Sequence, residues 1–339
     1  MAEGRRLRRR DLLRAGAAGL VLAAAGCVRG GDRLDETGGG AEATADRRDH
    51  AERARGTGSG PRSERPRTGD DEPNLEAPTD GDEAGPAEPV ELEEVDPADY
   101  PRQAAEWGER VTGVRRRLDT DEPVVALTFD ACGGSGGNGV DTDLIEFLVA
   151  EAVPATLFVN GRWIDANPGV FDELVAEPLF EIANHGTDHR PLSVEGRSAY
   201  GIAGTASPEE AIAEVAGAQR QIAESTGLAP RHFRSGTAHY DDVAVRIVRD
   251  LGLECVNYDV LGDAGASLPA EQVAAQLRTA TAGSIALLHM NHPGSGTAEG
   301  VARAVPELRD RGLELVRLGE RPLAGSGGPP RAGRLRLPA

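Results

Sequence analysis

Lysine is absent from this 339-residue chain, so all 37 basic residues are arginine. The 56 acidic residues outweigh them and give a formal net charge of −19. No basic excess is available to neutralise a phosphate backbone, which excludes a nucleic-acid partner. Aromatic residues make up only 4% of the chain, so ring platforms for bases or flat sugar clefts are few. Apolar runs of the ~20 residues that a membrane-spanning helix needs are also lacking. The longest candidate, Ala15 to Gly26, is about half that length. The three cysteines, Cys27, Cys132 and Cys255, are an odd count. If Cys27 is modified, the other two are left as a disulfide, two buried thiols or one reactive thiol.

What is present begins with an address. Arg8-Arg9-Arg10-Asp11-Leu12-Leu13-Arg14 is a basic segment with a twin-arginine pattern, and Ala15 to Gly26 is a short apolar region. Small residues then precede a cysteine in Ala24-Ala25-Gly26-Cys27, the arrangement of a lipoprotein cleavage site. The expectation is an exported, surface-held lipoprotein anchored at Cys27, with a secreted or periplasmic protein as the alternative. Residues 1–27 are thus assigned to a signal peptide. Residues 28–104 lack apolar periodicity, and from Asp70 to Asp99 there are thirteen acids and no basic residue. Such a segment cannot offset its ordering entropy by burial, so 28–104 is predicted to be a disordered acidic linker spanning about 45 Å. The folded domain is placed at 105–321, and 322–339 is read as a disordered tail.

Within 105–321, apolar runs alternate with helical patterns. Strands are predicted at 124–129, 155–160, 180–184, 232–235, 253–259, 284–290 and 313–318. The clearest helix starts at Ser207-Pro208-Glu209-Glu210, with an N-cap serine, an early proline and a capping-box glutamate. Others follow Pro269 and span about 297–310. Asp141 and Asp143 suit a helix N-terminus at Thr142. Continuous apolar strands alternating with helices imply a buried parallel sheet. Seven strands fit an α/β fold, a distorted, incomplete (β/α)7 barrel, with an open doubly wound sheet as the alternative. In either, functional groups gather at the C-terminal strand ends. That rule selects Asp130, His185, Arg234, Asp259 or Asp263, and His289.

His185 and His189 are four apart, and a helical turn after the strand would set both imidazoles on one side. His185-Gly-Thr-Asp-His189, with Leu127-Thr128-Phe129-Asp130, Phe233-Arg234-Ser235-Gly236 and Leu287-Leu288-His289, resembles the polysaccharide deacetylases of the NodB homology domain, carbohydrate esterase family 4. The matching positions span about 120–320 in the family's order. The resemblance implies a NodB-like barrel and a divalent metal, most often zinc, on the two histidines. It implies Asp130 as general base, Arg234 as its orienting partner and His289 as general acid. Leu287 would line the acetyl-methyl pocket. Asp263 is expected to hold His289, with Asp259 as competitor.

Two departures matter. Ala131 stands where the family has a metal-ligating aspartate, and two histidines alone make a poor zinc site. Three completions are open: Asp130 ligates directly, Cys132 supplies a thiolate, or metal is held weakly with extra water. The first is preferred because Asp130 is the carboxylate this strand end provides, so the predicted ligands are His185, His189 and Asp130. Ser235-Gly236-Thr237 replaces the family's Pro-Tyr, so backbone groups at Gly236 and Thr237 are expected to contact substrate. His292 is read as a loop histidine. The expected activity is removal of N-acetyl groups from a cell-wall or related polysaccharide by a monomeric enzyme. The alternatives are a non-catalytic glycan-binding protein and a small-amide hydrolase.

Overall fold

A computed structural model describes residues 93–325. The expected signal peptide, most of the linker and most of the tail lie outside them. The central strands are β2 (Val124–Ala131), β3 (Ala155–Val159), β4 (Phe180–Asn184), β5 (His232–Phe233), β7 (Glu254–Cys255), β8 (Val260–Leu261), β9 (Ser284–His289) and β10 (Glu314–Val316). Their order is β7-β5-β4-β3-β2-β9-β8, all parallel, with β10 on the lower half of β2. The predicted strand 253–259 is thereby resolved into two pieces. One run, Glu254 to Leu261, pairs first with β5 and then, after Asn257 to Asp259, with β9. It bridges the two edges, which makes the sheet the expected distorted, incomplete barrel. A small antiparallel ribbon, β1 (Trp107–Gly108) with β6 (Tyr240–Asp241), lies outside it. Strands of two residues leave no periodic signal in a sequence.

The sheet is covered by α1 (Thr142–Ala150), α2 (Gly161–Ala166), α3 (Pro168–Ala176), α4 (Pro208–Thr226), α5 (Asp242–Asp250), α6 (Ala270–Leu277) and α7 (Thr297–Asp310). Asp141 caps α1 through Leu144 N–H, and Ser207 caps α4 through Glu210 N–H. Every residue of β2 is buried, because one face meets the helices and the other fills the barrel. Leu127, Phe129 and Ala131 join Leu144, Trp163 and Leu308 under the helices. Val124 and Ala126 join Phe158, Ile285 and Val316 inside the barrel. Among the described residues, no helix is long and apolar enough to cross a membrane.

The fold begins earlier and ends later than 105–321. Tyr100 is buried, donates to Asp250 and lies under the Arg246 guanidinium. The Ala105 and Glu106 amides donate to Asp242. At the other end Leu323 is buried and bridges to Leu118. Both anchors are partners more than a hundred residues away, which composition does not reveal.

Candidate active site

Strand register assembles the site. Asp130 pairs in register with His289 on β9 and with Phe158 on β3, while Asn184 pairs with Phe233. His185 and Arg234 are the next residues beyond that last pair, so β2, β4, β5 and β9 deliver Asp130, His185, Arg234 and His289 to one rim. The alternation of β2 decides the rest. Ala131 turns outward into the helix-facing core, whereas Cys132, two beyond Asp130, comes back to the His185 side at 3.8 Å from Nε2.

His185 is buried, and its Nδ1 donates to the Arg234 carbonyl at 2.8 Å. This fixes the tautomer and leaves Nε2 for a ligand, the arrangement metal-binding imidazoles use. Burial opposes its charged form, but Asp130 and Cys132 outweigh that and raise its pKa, so a metal would displace a proton here. His189 does not follow from a helical turn. Its φ is +59°, and residues 185–190 form a loop of bends. Glu214 of α4 shapes that loop: its carboxylate accepts from Asp188 N–H at 3.0 and 3.1 Å and from Arg190 N–H at 3.1 Å. Burial drives the Glu214 pKa up to about 7 against those N–H bonds, with the Asp188 charge adding to the rise. Gly236 meets the same loop so closely that a Cβ would overlap the His189 backbone. The two imidazoles sit edge-to-face at 4.9 Å, and His189 Nε2 is buried without a hydrogen-bond partner.

The ligand atoms of Cys132, His185 and His189 all lie within 4.8 Å of one another. The set offers a thiolate and two imidazoles, the ligand types zinc takes and the three protein ligands its catalytic sites use. Burial opposes ionisation of the Cys132 thiol, but the neighbouring His189 and the contact with His185 lower its pKa well below the ordinary range. Asp130, the preferred third ligand on sequence grounds, is otherwise engaged. Its Oδ1 pairs with Arg234 Nη1 at 2.7 Å and its Oδ2 stands 3.5 Å from His185 Nε2. Burial would raise its pKa, yet Arg234, His185 and His289 overcome that and lower it. Arg234 is fully buried, with its guanidinium 4.1 Å above the Phe158 ring and Nε donating to the Val256 carbonyl.

His289 is held from behind. Its Nδ1 donates to Asp263 Oδ1 at 2.8 Å, and its backbone N–H and the Thr297 hydroxyl both reach Asp263 Oδ2. Burial disfavours the imidazolium, but Asp263 and Cys132 together raise its pKa well above 6.5. Asp259 does not compete, because it pairs with Arg117 and Ser284 beside the first residues of β9. Leu287 is buried two residues before His289 on the same face of β9. The Gly236 amide, expected to face substrate, donates instead to the Arg190 carbonyl at 3.3 Å. Thr237 Oγ1 is buried without a partner. His292 stays on its loop, its ring 6.5 Å from that of His289. Cys132 and Cys255 are both free thiols.

A carboxylate braced by arginine, a carboxylate-braced imidazole and a Cys-His-His cluster that could hold a metal ion meet on one barrel rim, groups suited to an amide hydrolase of the deacetylase class. The polysaccharide deacetylase family model matches residues 117–256. A chitooligosaccharide deacetylase of Sinorhizobium fredii is 29% identical over 213 residues, 58% of this chain and 91% of that protein. Among solved structures, PdaA of Bacillus subtilis, a family 4 carbohydrate esterase, superposes with TM-score 0.51 at 19% identity, covering 65% of this chain and 97% of that one. A family 4 pseudoenzyme of Bacillus anthracis gives 0.50 at 21% identity, covering 61% and 67%. At such identities the two structures establish the fold. Residues 117–256 thus match the polysaccharide deacetylase family model, and the fold is that of the family 4 carbohydrate esterases.

Proposed function

We propose that the protein is an exported, zinc-dependent deacetylase that removes N-acetyl groups from a cell-wall or related polysaccharide, with Cys132, His185 and His189 as the metal ligands. The observation that carries the reading is the buried, unpartnered His189 Nε2 facing a tautomer-fixed His185 and an acidified Cys132 thiol. Two imidazoles and a thiolate favour zinc over harder ions. The bound ion would supply Lewis-acid polarisation of the acetamide carbonyl and acidification of water.

The remaining steps belong to the chain's own groups. Asp130 takes the proton of the attacking water on Oδ2, since Oδ1 is occupied by Arg234. Its lowered pKa makes it a weak base, which suits it only to an acidified water. His289, kept protonated by Asp263, delivers a proton from Nε2 to the departing sugar amine. Leu287 contributes apolar surface for the acetyl methyl. The export pattern at Arg8–Arg10 and the lipidation pattern at Cys27 favour a substrate at the cell surface. Metal analysis of the full-length protein, combined with acetate release from N-acetylated glycans, tests the proposal. One bound zinc and acetate release are expected. Glycan binding with neither would mark a non-catalytic binding protein, and metal with release only from small amides would mark a small-amide hydrolase.

A further inference from the structure

Aromatic residues are scarce, yet Trp107, Tyr200 and Tyr258 converge beside His239. The Tyr200 and His239 rings meet edge-to-face at 5.3 Å, and the Trp107 ring lies tilted to His239 at 5.7 Å. Tyr200 is 77% exposed, an unusual state for a large ring. Glu109 lies between the tyrosines, accepting from Tyr200 Oη at 3.1 Å and from Tyr258 Oη at 3.3 Å on separate oxygens. His239 Nδ1 donates to the Thr237 carbonyl at 2.7 Å, which leaves Nε2 as an acceptor. Glu106, Trp107, Glu109, Arg110 and His239 line an open cleft of about 550 Å³, a size that suits a small ligand.

This cleft adjoins the reaction centre. The Ser235 hydroxyl donates to the His239 carbonyl at 2.9 Å, so His239 lies beside the residue that follows Arg234. Tyr258 packs on the barrel-interior group that includes Phe158, the ring beneath Arg234. Trp107 and Glu109 precede the residues matched by the family model, so the cleft is built partly by the segment before the domain's first central strand.

Accepting the deacetylase reading above, we infer that this cleft is a distal glycan subsite. It binds a further sugar of a polysaccharide chain whose acetamide lies at the metal centre. Trp107 in the cleft wall and the exposed Tyr200 ring, set at its edge by contacts with His239 and Glu109, offer the flat apolar surface that a pyranose CH face packs against. The flanking carboxylate and imidazole accept from its hydroxyls.

The test uses full-length protein freed of metal by chelation, so binding is read without turnover. N-Acetylglucosamine oligomers from the disaccharide to the hexasaccharide are titrated by calorimetry. Wild type should bind the hexasaccharide more tightly than the disaccharide. Tyr200→Ala and Trp107→Ala should each weaken hexasaccharide binding by about 5- to 10-fold, the size of one lost ring contact. They should leave disaccharide affinity and zinc uptake unchanged. Tyr200→Phe should retain most of the affinity. Tyr200 is exposed, so its removal does not threaten folding. Equal hexasaccharide affinity in wild type and Tyr200→Ala, or no dependence on chain length in wild type, would overturn the subsite. Chain-length-dependent binding by the metal-free protein, with no acetate release once it is loaded with zinc, would sustain the subsite and remove the hydrolase reading.

Discussion

Replacing Cys132 with alanine removes one of the three ligands that cluster within 4.8 Å. Structural zinc bound by four ligands is worth about 10–16 kcal/mol, or roughly 3 kcal/mol per ligand. Water recovers part of that, so zinc affinity should fall on the order of a hundredfold. The other side-chain contacts of the site do not involve the thiol. Asp130 keeps Arg234, His185 keeps the Arg234 carbonyl and His289 keeps Asp263. Cys132 is only partly buried, so melting of the metal-free protein should hardly change. A chelator-competition titration reads the affinity, and acetate release at fixed zinc reads the consequence. Cys132→Asp should recover part of the affinity while weakening the preference for zinc, because a carboxylate is a harder ligand. Wild-type zinc affinity in Cys132→Ala would refute the reasoning and return Asp130 as the third ligand.

Two further outcomes follow from the braces behind the site. Asp263 raises the His289 pKa, so the acid form persists to higher pH than in a free imidazole, and Asp130, whose pKa is lowered, is ionised below the usual carboxylate range. The rate should therefore fall on the alkaline side as His289 loses its proton; Asp263→Asn removes the raising charge and should move that limb to lower pH, and an unmoved limb in a pH–kcat/KM profile would exclude His289 as the acid. Glu214→Ala strips the Asp188 and Arg190 amides of their acceptor, which should cost about 2–4 kcal/mol in denaturant unfolding and about tenfold in zinc affinity. Glu214→Gln should retain part of both, and zinc affinity untouched in Glu214→Ala would show that the loop places His189 unaided.

The strand ends were legible because buried parallel strands read as continuous apolar runs, and chemistry collects where they stop. Asp130, His185, Arg234, His289 and Asp263 all came from that rule with the resemblance, and the structure brings them to one rim. The proposed third ligand was also legible: period-2 alternation puts Cys132 on the Asp130 side and Ala131 opposite, although a carboxylate is the more obvious candidate at this strand end. Other features were hidden by their nature. Glu214 sits in an amphipathic helix, where an acid ordinarily reads as part of a solvated face. The Glu109 contacts to Tyr200 and Tyr258 join residues 91 and 149 apart, with no local pattern to announce them. The loop that carries His189 depends on a φ of +59°, which a helical projection of His-x-x-x-His cannot foresee.

The central claim is that a thiolate completes a zinc site whose usual carboxylate is missing. X-ray absorption at the zinc edge of the loaded full-length protein tests it most directly. One sulfur at about 2.3 Å with two imidazole nitrogens at about 2.0 Å is the predicted shell, and its sulfur should vanish in Cys132→Ala. A shell of nitrogen and oxygen only in the wild-type protein would contradict the account.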